Sequence, residues 1–117
     1  MDNVIVLKSY EFSKKIVRIG IDLKKSNLHY ELASQVLRSG TSIGANIAEA
    51  QYAQTDKDFA LKMRIALKEA SETEYWLNLL TDTEIITKEI SLPLINDVKE
   101  LIRILTSIVK KVQTNNY

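Results

Sequence analysis

Glu49, Glu69, Glu72 and His29 are the side chains a metal-based chemistry would draw on in this sequence. A di-iron site in a helical bundle takes glutamates from two helices and Glu-x-x-His pairs from the other two. His29 is the sole histidine, and it does not stand three residues after a glutamate. The ligand set is therefore incomplete, and no metal or other cofactor is expected. A nucleophile–histidine relay would depend on the same His29, and no serine stands in an elbow motif. His29 reads instead as a surface residue near a helix start. The segment "GTSIG" lacks the lysine and the spacing of a phosphate loop. Tyr75 and Trp76 read as packing residues rather than base-stacking platforms. No catalytic residue is assigned, and the chain reads as non-enzymatic.

Binding is the chemistry that remains. Lys8, Lys14, Lys15, Arg18, Lys24 and Lys25 cluster on the first predicted helix, and Lys57, Lys62, Arg64 and Lys68 on the third. Lys110 and Lys111 end the last. Glu11, Asp22 and Asp58 dilute these clusters, and 16 basic residues against 15 acidic ones leave a net charge of +1. Charge alone would hold such a chain to nucleic acid only weakly. Repetition around a symmetric assembly multiplies a weak patch. The six cations of the first helix are the expected phosphate contacts, with an affinity that falls steeply with salt.

The stretch "QVLRSGTSIGANIAEA" carries a second pattern. Arg38, Ser42, Asn46 and Glu49 fall near one line of a helix, and Glu69, Glu72 and Thr73 near a comparable line of the next. Facing one another, these lines pair Arg38 with Glu69 or Glu72 and give the Asn46 amide partners, within or between chains. Buried charge is tolerable only when paired. Gly40, Gly44 and Ala48 stand at i, i+4 and i+8, where another helix can come close. Glycine inside a helix costs about 1 kcal/mol relative to alanine, which implies a packing reason. Arg38, Gly40, Gly44, Asn46, Glu49, Glu69, Glu72 and Trp76 form the expected packing and oligomer network.

Four helices must position these residues. Ile5, Phe12, Ile16, Ile19 and Leu23 form one stripe from about Val4 to Lys25, and Ser26 or Asn27 stops that helix and caps the next. Leu32, Val36, Ile43, Ile47 and Ala50 stripe a second helix from about Leu28 to Ala53. Thr55 or Asp56 caps a third, with Phe59, Met63, Ala66, Ala70, Thr73, Leu77 and Leu80 inward. A loop within "TDTEIITKEIS" precedes a fourth, capped by Ser91, with Pro93 in its first turn. Leu94, Val98, Leu101, Leu105, Ile108 and Val112 stripe that last helix, and "TNNY" is expected to fray. The reading is all-α: residues 1–117 form one antiparallel up-down-up-down four-helix bundle. One proline and three glycines in 117 residues fit it. With no cysteine, no signal peptide and no membrane-length apolar run, the expected location is the cytoplasm.

A bundle helix needs one apolar face, and these have two. Val6, Tyr10, Val17 and Ile21 share a second face of the first helix. Tyr30, Leu37, Thr41, Gly44 and Ala48 do so on the second, Leu61, Ile65, Trp76 and Leu79 on the third, and Ile95, Ile102 and Val109 on the last. Aligned second stripes mark a partner surface, and self-association into a homo-oligomer is expected.

At "QVLRSGTSIGANIAEA" and "DFALKMRIALKEASETEYWLNLL" the sequence resembles the bacterial four helix bundle proteins encoded in intervening sequences of 23S rRNA genes. These are sometimes labelled a ribosomal protein, and the accessory variability protein of diversity-generating retroelements belongs to the same group. The resemblance spans about Tyr10 to Lys111. It implies an antiparallel bundle assembling as a ring-like homopentamer, with no established enzymatic activity. The retroelement members are strongly basic and are associated with nucleic acid and reverse transcriptase; this chain, at +1, departs from them in charge. The expected function is an oligomeric binding or scaffolding module for RNA or a nucleic-acid-handling partner. The alternatives are a purely structural homo-oligomer without nucleic acid and, third, a carboxylate metal-site enzyme.

Overall fold

The computed structural model describes residues 3–25 and 29–116, without the side chains of Asn3 and of residues 113–116. It is all-α, with no strand among the described residues, and consistent with a four-helix bundle. The helices are α1 (Asn3–Lys24), α2 (Tyr30–Ala50), α3 (Asp56–Asp82) and α4 (Lys88–Asn116). Each packs on its neighbours in the cycle α1–α2–α3–α4–α1, and the backbones of the diagonal pairs stay apart among the described residues. The result is a four-cornered body of 47 × 20 × 20 Å. Among the described residues, no helix is long and apolar enough to cross a membrane.

The core follows the 3.6-residue periodicity. Phe12 and Ile16 of α1, Ile43 and Ile47 of α2, Met63 and Leu77 of α3, and Leu101 and Leu105 of α4 are all buried. Register across the pairs is visible in side-chain contacts. Lys8 meets Glu100 and Lys15 meets Asp97, so numbers rise along α1 as they fall along α4. Arg38 meets Glu69 and Glu72, and Glu49 meets Lys62, with the same sense between α2 and α3.

Helix ends depart from expectation where backbone bonding decides them. Ser26 and Asn27 lie outside the described residues, and α2 opens at His29 without a side-chain cap. Gln51, Tyr52 and Ala53 bond three residues back, to Ala48, Glu49 and Ala50, so the last turn tightens and α2 stops short of Ala53. Thr55 caps α3, its hydroxyl accepting from the Asp58 N–H at 3.0 Å. The other end of α3 closes in a Schellman motif: the Ile85 N–H donates to Leu80 O and the Glu84 N–H to Thr81 O. Glu84 takes the left-handed position there, with φ 63°.

The start of α4 differs most. Ser91 is no cap but a fully buried residue inside the helix, and Pro93 is the sixth helical residue. The helix begins earlier because the Ile90 and Ser91 N–H groups both reach Thr87 O. Pro93 removes only the bond to Glu89, on an exposed stretch. At its far end α4 continues to Asn116, where fraying was expected, and Tyr117 lies outside the described residues. Two members of the α4 second stripe, Ile95 and Val109, are core, while Ile108 and Val112 are half-buried. The reason is lopsided packing: α4 sits closely on α3 and more loosely on α1.

Candidate functional site

The α1–α2 seam is built on glycine. A Cβ on Gly40 would lie 2.7 Å from Cγ2 of Ile16, and one on Gly44 2.9 Å from Oγ of Ser13 and 3.3 Å from the Ser9 carbonyl oxygen. Gly20, which the sequence marks only as a glycine inside a helix, belongs to the same seam: a Cβ there would collide with Leu37. The Ser9 and Ser13 hydroxyls face this seam and return to their own helix, donating to Val6 O and Ser9 O. Ala48, the third small residue of the Gly40 and Gly44 spacing, is exposed.

Across the other side of α2 lies the polar network. The Arg38 guanidinium reaches Oε2 of Glu69 at 3.3 Å, Oε2 of Glu72, and Oε1 of Gln35 at 3.4 Å. The Trp76 indole N–H donates to the same Glu72 oxygen at 3.1 Å, and the Tyr75 ring meets Trp76 edge-on at 5.1 Å. Arg38 is half exposed, whereas the Glu69 side chain keeps only 14% of its accessible surface. Two carboxylates brought together under one guanidinium are arranged for neutralisation and register. Beneath them the Thr73 hydroxyl donates to Ser39 Oγ at 2.9 Å, a buried bridge between α2 and α3 that Ser39, one serine among many, did not signal. Asn46 does not cross to α3: its amide donates to Ser42 O at 2.8 Å. Glu49 accepts from Lys62 at 2.8 Å. His29 is half-buried and remote from all three glutamates in sequence. Among the described residues no three His, Cys, Asp or Glu side chains gather as a metal-ligand set.

Exposed apolar residues occur on two adjacent sides of the body, with others, Leu7, Ile90 and Leu92 among them, elsewhere on α1 and α4. On the α1–α2 side, Tyr10 (64% exposed), Val17, Ile21 and Tyr30 flank the glycine seam. On the α2–α3 side, Leu61 is half exposed and Ile65, Trp76 and Leu79 are half-buried.

The six cations, five on α1 and Lys25 just beyond it, are spread over four environments. Lys8 and Lys15 reach across to Glu100 (3.1 Å) and Asp97 (2.8 Å). Lys14 and Lys25 pair locally, with Glu11 at 2.9 Å and Asp22 at 3.7 Å. The Lys24 ammonium stands 4.6 Å above the Tyr30 ring. Arg18 has no carboxylate or ring partner among the described residues.

The model of the 23S rRNA-intervening sequence protein family matches residues 1–107. A protein of unknown function from the S23 ribosomal protein family of Bacteroides thetaiotaomicron VPI-5482, known from its crystal structure, is 50% identical. That match covers 92% of this chain and 99% of the other, with a TM-score of 0.88. No curated protein shows significant similarity to the chain. With the family match running from α1 into α4, the chain belongs to the 23S rRNA-intervening sequence protein family.

Proposed function

We propose that the chain is a non-enzymatic scaffolding or binding module of the cytoplasm: an antiparallel up-down-up-down bundle that joins copies of itself into a ring and presents α1 to RNA or to a nucleic-acid-handling protein. The observation that carries this reading is the exposed apolar face of Tyr10, Val17, Ile21 and Tyr30 beside a second apolar face on α2–α3. Unlike faces on adjacent sides of a four-cornered body make a heterologous contact. Such a contact turns at each step and closes into a ring where that rotation allows it. The family resemblance implies five copies. Contacts whose numbering rises on one helix and falls on the next support the antiparallel arrangement.

RNA is the leading ligand class, with Lys8, Lys14, Lys15, Arg18, Lys24 and Lys25 as its phosphate contacts. Exposed ion pairs such as Lys14–Glu11 are worth roughly 0–1 kcal/mol, so phosphate can displace them. A second reading, a purely structural ring without nucleic acid, is favoured by the carboxylates already holding four of those six cations.

Size-exclusion chromatography with light scattering, recorded at 260 and 280 nm, tests both. A mass of several chains that falls to one chain in Val17→Asp, with helicity intact, supports the ring. A monomeric wild type overturns it. A 260/280 ratio that is high at low salt and collapses at high salt supports RNA binding. A protein-like ratio, with no shift of added RNA at low salt, leaves the structural ring.

A further inference from the structure

A groove of about 560 Å³ opens on the α1–α4 side, between the second half of α1, the α3–α4 connection and the first turns of α4. Ile19, Leu23 and Leu94 are its buried floor, and Ile90, 52% exposed, is one wall. Arg18 stands on its lip. The Schellman closure at Glu84 and the ring of Pro93, which also lines the groove, hold its backbone frame in shape. The volume falls within the roughly 300–1,000 Å³ of small-molecule sites. Along α1 the lining runs from Lys15 to Leu23, about 12 Å of helix, which suits one alkyl chain better than the face of a partner helix.

Charge identifies the head group. Of the two cations at the groove, Lys15 is held by Asp97 at 2.8 Å. The one lining carboxylate on the α1 edge, Asp22, lies 3.7 Å from Lys25. Arg18, the α1 cation without a partner among the described residues, therefore offers its guanidinium to an outside anion. A guanidinium fork matches a carboxylate with two parallel hydrogen bonds. We propose that this groove is a binding site for an aliphatic monocarboxylate, its alkyl chain on the Ile19–Leu23–Leu94 floor and its carboxylate on Arg18. The site goes beyond the scaffold reading, since it lies on the α1–α4 side, away from both apolar faces assigned to self-association.

Isothermal titration of the full chain with sodium decanoate, kept below its micelle threshold, tests the site. Acetate and decyltrimethylammonium serve as comparators. The expected result is one saturable site per chain for decanoate and none for either comparator. Arg18→Gln is expected to weaken binding roughly tenfold, the low end of what a hydrogen bond to a charged group contributes. Ile90→Asn is expected to abolish it. Both residues are exposed, so both variants are expected to fold, with helicity checked by circular dichroism. Absence of decanoate binding overturns the proposal. So do many weak sites per chain, equal binding of the cationic amphiphile, or an affinity unchanged in either variant.

Discussion

Replacing Gly40 with alanine adds one methyl group to the middle of α2. On an isolated helix that change gains about 1 kcal/mol, because alanine has the higher helix propensity. Here the new Cβ would stand 2.7 Å from Cγ2 and 3.0 Å from Cγ1 of Ile16, a fully buried side chain of the facing helix. Overpacking of that kind costs about 1–3 kcal/mol. The two effects leave Gly40→Ala destabilising by about 0–2 kcal/mol. Ile16→Ala by itself costs about 2–5 kcal/mol through the cavity it leaves. In that background the two closest contacts are gone and only the Cβ of residue 16, at 3.3 Å, stays near the methyl group added by Gly40→Ala, so the sign of the second substitution reverses and it stabilises by up to about 1 kcal/mol. Urea unfolding of the four proteins, followed by circular dichroism at one protein concentration, measures the cycle. The fixed concentration matters because self-association adds to apparent stability. A favourable coupling of about 1–3 kcal/mol is expected between residues in contact. Strict additivity, or a Gly40→Ala chain more stable than wild type, would refute the claim that glycine sets the α1–α2 approach.

Glu84→Gly is expected to stabilise the chain by about 0.5–1 kcal/mol, the relief of a left-handed side chain less the added freedom of the unfolded glycine, read as a higher melting temperature. Ser91→Ala is expected to gain about 1 kcal/mol in urea unfolding, because the buried Ser91 hydroxyl has no hydrogen-bond partner among the described residues. Loss of stability on that substitution would show that the hydroxyl is satisfied. Arg38→Ala is expected to cost under about 1 kcal/mol, since the guanidinium is half exposed. It is also expected to shift Trp76 fluorescence, because Glu72 holds both Arg38 and the indole N–H. An unchanged emission spectrum would separate Trp76 from the network.

The helices and most of the core were legible because burial on a helix repeats every 3.6 residues, and stripes such as Ile5–Phe12–Ile16 announce it. Arg38, Glu69 and Glu72 were legible as candidates for the same reason, since charges at i, i+3 and i+4 share a face. What misled was local chemistry. Asn46 looked suited to a cross-helix bond, yet a carbonyl of its own helix lies nearer, at Ser42. Ser91 and Pro93 matched a helix start, but the free carbonyl of Thr87 let the helix begin at Lys88. Ile95 and Val109 looked like partner surface because a helical wheel does not say how closely each neighbour packs.

By itself, then, the sequence determined the number of helices, their apolar faces and the small residues that permit close approach. All of these depend on spacing within one helix, which the chain's own geometry sets. Only the tertiary structure decided which faces meet. It seats Gly20 against Leu37 and Gly40 against Ile16 across the α1–α2 seam, joins Ser39 to Thr73, and sets Arg18 at the lip of an apolar groove. Those outcomes depend on the rotation and separation of whole helices, quantities fixed by every contact in the core at once rather than by any local pattern.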